Sequence, residues 1–451
     1  RDIRYVFENN ISQTEYVLLI YGILALILVG FFTLERVRLG SIFRMIGEDE
    51  LAASAQGVNV TGFKLLAVVI ASMVAGVGGA LYAHFTTYLE PSNFGVMLGV
   101  HSLAYGLIGG LGTALGPLLG VGIDIGLLES IRDLKQYRMI IFGGLVAVLL
   151  IFRHRGLLDE QLMHRFRRPR DFQPNRRKTS DRTVSPDIKR RSYPPPDVDE
   201  PTLLSLDGVT MKFGANTVLH EFCMEMMKGE AVGLIGPNGS GKTTVFNIIT
   251  GVVTPTDGRI RFRAENILGR PTHSIMRLGL SRTFQNIRLF RRLTVFDNVW
   301  SAQHRLPGEA VWRTVVSDRA LEEAHRERVY ELLELTGLVE KADLLAGQLA
   351  LGERRKLELA RALAREPELL LLDEPTGGMV PKETEAISEV LQSVMASGTS
   401  LILVEHKLEM VMELCDRIIV LNFGKKISEG APTFVQADPK VIEAYTGLDI
   451  K

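Results

Sequence analysis

"AVGLIGPNGSGKTTVFNIITG", residues 231–251, decides how the chain folds. Within it Gly236, Pro237, Asn238, Gly239, Ser240, Gly241, Lys242 and Thr243 spell G-x-x-x-x-G-K-T, and Thr244 follows. An apolar strand runs in and an apolar-periodic helix runs out, which is the context this motif requires. The glycines let backbone N–H groups wrap phosphate oxygens at a helix N-terminus, where the helix dipole favours anions. Lys242 is placed to reach the β- and γ-phosphates, and the Thr243 hydroxyl to sit on Mg²⁺. The stretch predicts an α/β P-loop domain.

Further along, "PELLLLDEPTGG" (367–378) predicts a buried parallel-type strand through Leu369 to Leu372, ending at Asp373 and Glu374. An acid at the carboxyl end of a strand beside a phosphate loop is placed to hold Mg²⁺ through water. The acid next to it can orient or deprotonate an attacking water. Alone, an Asp-Glu pair after a strand reads as a surface turn; paired with the phosphate loop it reads as a hydrolysis site.

The order of these motifs over residues 202–447 resembles the ATP-binding-cassette (ABC) ATPases. The resemblance implies ATP and Mg²⁺ as ligands, with Phe213 as the aromatic residue that stacks on adenine. It implies Gln285 in "SRTFQNIRLF" (281–290) as the residue that contacts the Mg²⁺/water site and links it to the membrane part. His406, closing "LILVEH" (401–406), is similar to the switch histidine. "LALGERRKLELARAL" (349–363) stands where the family has its LSGGQ signature. Leu349 and Gly352 match that pattern, while Ala350, Leu351 and Glu353 depart from it. Read by itself, Gly352 followed by Leu357, Leu359, Ala360 and Leu363 is an ordinary amphipathic helix.

In ABC proteins the signature contacts the γ-phosphate bound to the opposite subunit, so the single cassette here implies a second copy or a paralogue in a head-to-tail dimer. Ala350 removes one possible γ-phosphate hydrogen bond, and the Gly352 backbone remains available. Val380 in "GGMVP" (377–381) stands where the family commonly has Asp, with weakened coupling across the dimer as the expected effect.

Within the family, "SRTFQNIRLFRRLTVFDNV" (281–299), "LALGERRKLELARALA" (349–364) and "DPKVIEAYTG" (438–447) look like the ATPase of branched-chain amino-acid importers. The first third of the chain resembles the C-terminal part of the matching permease, through residues 55–83 and "GLIGGLGTALGPLLG" (106–120). Permease and ATPase would then be fused, and the permease half, which begins abruptly at Arg1, is expected to be incomplete.

The apolar runs support a membrane region over 1–152. Tyr16–Leu34 and Leu65–Ala83 are each 19 residues without a formal charge, close to the roughly 20 that a bilayer core of about 30 Å needs. Phe94–Ile123 holds 30 residues, broken by the Gly-rich "GLIGGLGTALGP" (106–117), and predicts two spans meeting at a turn. Met139–Phe152, 14 residues, is the shortest run. About five helices follow, with the N-terminus outside. Arg36, Arg38 and Arg44 after the first span, and 13 Lys/Arg against 5 Asp/Glu in residues 153–191, place both segments in the cytoplasm. Ala71, Ala75, Gly79 and Ala83 form a small-residue ridge for helix packing. His101, Asp124 and Glu129, near or within the later runs, are candidates for a transport path, with helix-end and interfacial positions as equally open readings. "EDELAASAQG" (48–57) predicts a short cytoplasmic helix ended by Gly57. The importer resemblance makes the loop at 44–62 the coupling helix, expected to dock beside the Gln285 loop.

Residues 153–200 carry Arg, Pro, Asp and Ser without apolar periodicity and read as a tether. Basic residues just inside a last span are expected from topology and anionic lipid, so nucleic acid is not an expected partner. Residues 201–451 are charged throughout and read as the ABC domain with its helical subdomain. Cys223 and Cys415, the two cysteines, give neither a disulfide framework nor metal-ligand spacing.

The sequence thus predicts a multi-domain chain, an α-helical transmembrane region followed by an α/β P-loop cassette. It reads as the ATP-hydrolysing component of a branched-chain amino-acid importer in a bacterial cytoplasmic membrane. A partner permease and an extracytoplasmic substrate-binding protein are implied. Import of urea, short amides or another small polar solute, or a non-transporting ATP-switched membrane regulator, are the alternatives.

Overall fold

The computed structural model describes residues 13–86, 90, 94–128, 137–153, 156–158, 202–303 and 319–446. They fall into two compact units, one drawn from 1–43 with 61–170 and the other from 44–60 with 171–451. Glu129 and nearly all of the tether lie outside the described residues.

The first unit is helical. Its apolar helices are α1 (Gln13–Arg36), α4 (Val60–Thr86), α5 (Val96–Gly109), α6 (Gly116–Val121), which continues as a π-helical turn over Gly122–Leu128, and α7 (Arg138–Phe152). α2 (Arg38–Glu48) begins in this unit and ends in the second, and α3 (Glu50–Ala55) lies in the second; together they carry the cytoplasmic loop of the sequence reading. The five apolar helices coincide with the apolar runs. Among the described residues, however, only two helices are long and apolar enough to cross a membrane, Thr14–Glu35 and Val60–Thr86. At 1.5 Å per residue α5 rises about 21 Å, short of the roughly 30 Å of a hydrocarbon core.

The uncharged stretch containing α5 and α6 folds back on itself because its glycines let backbone touch backbone. A Cβ on Gly109 would stand 1.5 Å from the Gly116 carbonyl oxygen, and one on Gly120 2.2 Å from that of Tyr105. The N–H groups of Leu157 and Leu158 donate to the carbonyls of Ile108 and Gly109 at 2.9 and 2.8 Å. The turn falls inside the predicted Gly-rich segment, but the helices on either side are half-length rather than full spans. On the ridge of α4, no described residue lies within 4 Å of the place where a Gly79 Cβ would stand.

The second unit holds two sheets. The strands are β1 (Thr202–Phe213), β2 (Asn216–Met227), β3 (Ala231–Ile235), β4 (Asp257–Phe262), β5 (Glu265–Asn266), β6 (Leu280–Arg282), β7 (Leu369–Asp373), β8 (Ser400–Val404), β9 (Arg417–Asn422) and β10 (Lys425–Gly430). An antiparallel sheet runs β2-β1-β4-β5, and the larger sheet runs β10-β9-β3-β8-β7-β6. The larger sheet is parallel from β9 to β6, with β10 antiparallel at its edge.

Period-2 alternation lets these all-apolar strands feed two cores. Leu369, Leu371, Ile402, Val404, Ile419 and Leu421 join the core shared with the antiparallel sheet. Leu370, Leu372, Leu401, Leu403, Ile418 and Val420 join the core shared with the helices. On that side Val295–Ala302, Arg319–Leu335 and Leu351–Leu363 pack on one another as a helical subdomain.

The two cysteines test this layering. Cys415 is buried in the helix-side core, and burial, with Asp416 beside it, pushes its thiol well above the usual range. Cys223 is exposed. Maleimide labelling of the native chain at pH 7.5 should modify Cys223 at least about tenfold faster than Cys415, since thiolate fraction and access set the rate. Equal rates would place Cys415 at the surface.

Candidate nucleotide site

The carboxyl ends of β3, β6, β7 and β8 come together at one edge of the parallel sheet, where open α/β sheets take their ligands. From β3 the chain enters the phosphate loop and then the helix Lys242–Ile249. Gly236 has φ +149° and Gly241 +107°, and a Cβ on Gly236 would stand 2.0 Å from the Leu421 carbonyl oxygen. Only glycine fits so close an approach. Pro237 is half-buried, Asn238, Gly239 and Thr243 are exposed, and Thr244 is half-buried. Ser240 is buried, and its hydroxyl meets no hydrogen-bond partner among the described residues. Lys242 Nζ donates to the loop's own carbonyls, Gly236 at 2.7 Å and Pro237 at 2.9 Å. Burial lowers its pKa, while Glu374 and Asp373 act in the opposite sense.

β7 delivers Asp373 fully buried, and neither carboxylate oxygen accepts a hydrogen bond from a described group. Burial raises its pKa, and the Arg282 guanidinium opposes the rise. Glu374 follows at φ +50°, a left-handed conformation that costs a non-glycine residue about 1–3 kcal/mol. Its Oε1 accepts from Gln285 Nε2 at 2.9 Å and meets His406 Nε2 at 3.1 Å. Three of the predicted residues, carried on three strand ends, therefore share one oxygen. Phe213 ends β1 and is 52% exposed. In β2, Leu219 and the Val218 carbonyl come close to Gly241, 2.9 and 3.1 Å from where its Cβ would stand.

The signature segment does not join this group within one chain. Leu349 is buried, while Ala350 and Leu351 are exposed. Ala350 N-caps the helix Leu351–Leu363 without a side-chain bond, and its own N–H donates to Glu353 Oε2 at 3.1 Å. A hydrogen bond from Lys341 holds the Glu353 carboxyl below its usual range. Gly352 lies against the Glu383 carboxylate, 2.5 Å from where a Cβ would stand.

Several residues around the site escaped the sequence reading. Arg355 Nη1 and Nη2 donate to the carbonyls of Phe284 and Gln285 at 3.0 and 2.7 Å, so the signature helix holds the Gln loop. Arg355, Glu358 and Arg361 recur every three residues on the buried side of that helix, a charge pattern that a helical projection would have exposed. Glu405 Oε1 accepts both the N–H and the hydroxyl of Thr376, and its Oε2 accepts the His406 N–H, tying the turn after Glu374 to the end of β8.

The predicted docking loop belongs to the same compact unit as the cassette. Asp49 caps α3 by accepting from the Ala52 N–H at 2.9 Å, and pairs with Arg288 at 2.7 Å, three residues past Gln285. Arg277 Nε donates to the Gly57 carbonyl at 3.0 Å. Arg365 donates to the carbonyls of Gln56 and Met276. In the other unit, Tyr105 donates to Asp124 Oδ2 at 2.9 Å, and His101 stacks edge-on to Phe142 at 6.0 Å.

A phosphate loop at the centre of a parallel sheet, with an acid pair, a glutamine and a histidine at the neighbouring strand ends, defines a P-loop nucleotide-hydrolysing cassette. The "ABC transporter" family matches residues 219–377, and "Branched-chain amino acid ATP-binding cassette transporter" matches 425–449. "Branched-chain amino acid transport system / permease component" matches 3–152. The high-affinity branched-chain amino acid transport ATP-binding protein LivG of Salmonella typhimurium is 40% identical over 249 residues, covering 54% of this chain and 98% of LivG. BraF of Pseudomonas aeruginosa, with the same description, is 39% identical over 252 residues, with coverage of 54% and 98%. The lipopolysaccharide export ATP-binding protein LptB of Acidithiobacillus ferridurans is 32% identical, with coverage of 54% and 97%. A crystal structure of a nucleotide-free ATP-binding cassette from an ABC transporter is 28% identical, covers 55% of this chain and all of that one, and has a TM-score of 0.48.

The chain belongs to the ABC transporter family, in its branched-chain amino-acid group, and joins a permease region to an ATP-binding cassette. It is an ATPase coupled to membrane transport, and cassettes of this family act as dimers with permease components.

Proposed function

We propose that the chain drives uptake of branched-chain amino acids, as a multi-pass component of a bacterial cytoplasmic-membrane importer with its cassette in the cytoplasm. The observation that carries this reading is the pairing, in one polypeptide, of the permease match over 3–152 with a cassette 40% identical to LivG. The boundaries we propose are 1–152 for the permease region, 153–200 for the tether and 201–451 for the cassette. A second cassette, a partner permease, an extracytoplasmic substrate-binding protein and contacts of the basic tether with lipid complete the assembly.

In the cassette, Phe213 stacks on adenine, and the loop Gly236–Thr244 wraps the phosphates with Lys242 at the terminal ones. Leu349–Glu353 of one cassette meet the nucleotide of the other. Glu374 takes the proton of the attacking water, with Gln285 and His406 fixing the carboxylate through the oxygen they share. Thr243, Asp373 and Gln285 would hold Mg²⁺. The fit is supported by the hard oxygen donors and by the two buried Asp373 oxygens that accept no hydrogen bond from described groups. Mg²⁺ supplies neutralisation of the phosphate charge. Asp124, buried beside Tyr105 in an apolar helical unit, is a proposed part of the solute path.

Uptake of radiolabelled leucine into proteoliposomes containing the chain, its partner permease and its binding protein tests the reading. ATP-dependent accumulation, competed by isoleucine and valine but not by urea or acetamide, is expected. Competition by urea or acetamide alone would move the assignment to a small-amide importer. ATP hydrolysis without movement of any solute would leave a regulator.

A further inference from the structure

β6 ends in Arg282, three residues before Gln285, and inserts a guanidinium behind Asp373. The side chain is 2% exposed and that of Asp373 1%, with Arg282 Nη2 3.5 Å from Asp373 Oδ2. Arg282 Nη1 donates to Asn247 Oδ1 at 2.8 Å and to Thr250 Oγ1 at 3.0 Å, at the end of the helix that follows the phosphate loop. The guanidinium lies 4.9 Å from the Phe284 ring centroid and 5.6 Å from that of Phe246.

A buried carboxylate without a counter-charge is costly, and removing one partner of a buried pair leaves that cost uncompensated. Asn247, Thr250 and the two rings anchor the guanidinium, and its remaining charge faces Asp373. At 3.5 Å from Oδ2 the guanidinium attracts the carboxylate at the outer limit of a hydrogen bond, and Oδ1 accepts none from a described group. Oδ1 therefore stays open to a ligand. This arrangement neutralises the acid while leaving Oδ1 open to a ligand.

We propose that Arg282 is a positioning residue, a resident counter-cation for Asp373. It keeps the carboxylate in place before the metal–nucleotide arrives and then competes with the metal for its charge. The inference rests on the reading that Asp373 holds Mg²⁺. Its further consequence is that one side chain ties the phosphate-loop helix, the acid strand and the start of the Gln loop together.

The test uses the full chain in lipid nanodiscs with Glu374→Gln, so that ATP is not consumed. Binding of a fluorescent ATP analogue is followed against Mg²⁺ concentration, and melting is followed in EDTA and in Mg²⁺–ATP. Arg282→Met should lower the Mg²⁺ midpoint about three- to tenfold, and it should lose more melting temperature in EDTA than in Mg²⁺–ATP. Arg282→Lys should restore the parental midpoint to within about twofold. If the Met variant does not fold, Arg282→Gln against Arg282→Lys answers the same question. An unchanged or higher midpoint in the neutral variant, with equal melting losses in both conditions, would reduce Arg282 to a packing residue and overturn the proposal. Asp373→Asn separates the premise: an unchanged Mg²⁺ midpoint there removes the metal reading, whatever Arg282 does.

Discussion

Glu374→Gln slows ATP turnover by about 10²- to 10⁴-fold, the range over which a positioned general base contributes, and leaves nucleotide binding intact. The substitution keeps the size of the side chain and the oxygen that Gln285 bonds, and removes only the ability to take a proton. Asp373 and the phosphate loop are untouched. The strained backbone at φ +50° argues that the fold pays to aim this side chain at a particular point. Phosphate release from the purified chain, read beside binding of a fluorescent ATP analogue, distinguishes the two effects. Turnover within threefold of the parent would remove Glu374 from the proton step. A parallel loss of binding would mean that the acid shapes the nucleotide pocket instead.

Arg365→Met should uncouple hydrolysis from transport. Arg365 is buried and donates to two peptide carbonyls, Gln56 in the docking segment and Met276 in the cassette. Gly57, at φ +78°, lets the chain turn directly against the guanidinium, which would lie 2.9 Å from a Cβ there. Leaving a buried carbonyl unpaired costs about 1–3 kcal/mol, and each 1.4 kcal/mol is about a factor of ten. Solute moved per ATP hydrolysed, measured in proteoliposomes, should fall about ten- to a hundredfold, with hydrolysis itself within about threefold of the parent. A preserved ratio would show that Arg288 and Arg277 carry the docking alone.

Much of the catalytic group was legible in the sequence because each member sits where an apolar strand ends. β3, β7 and β8 are runs of aliphatic residues closed by Gly236, Asp373 and Glu405–His406, and such runs register strongly in composition. Arg282 was not legible for the opposite reason: it closes a strand of three residues, too short for a pattern, and its partner is 91 residues away. The half-length helices on either side of the Gly110 turn were missed because charge counting sees an apolar run, whereas backbone contact at Gly109 and Gly120 is what bends it. The docking loop was read as a short helix ended by Gly57, yet its partners, the side chains of Arg277, Arg288 and Arg365, are scattered through the cassette and share no periodicity.

The docking segment and the cassette arginines that hold it, Arg277, Arg288 and Arg365, are portions of one polypeptide. In a transporter assembled from separate subunits, the two must find each other at their cellular concentrations. Here the search is intramolecular, so the two meet at an effective local concentration set by the chain that joins them. An interface of a few arginine contacts can then stay occupied even if its intrinsic affinity is weak. It can also open and re-form at every turnover without the risk of losing its partner, and the ratio of docking helix to cassette is fixed at one by translation rather than by expression level.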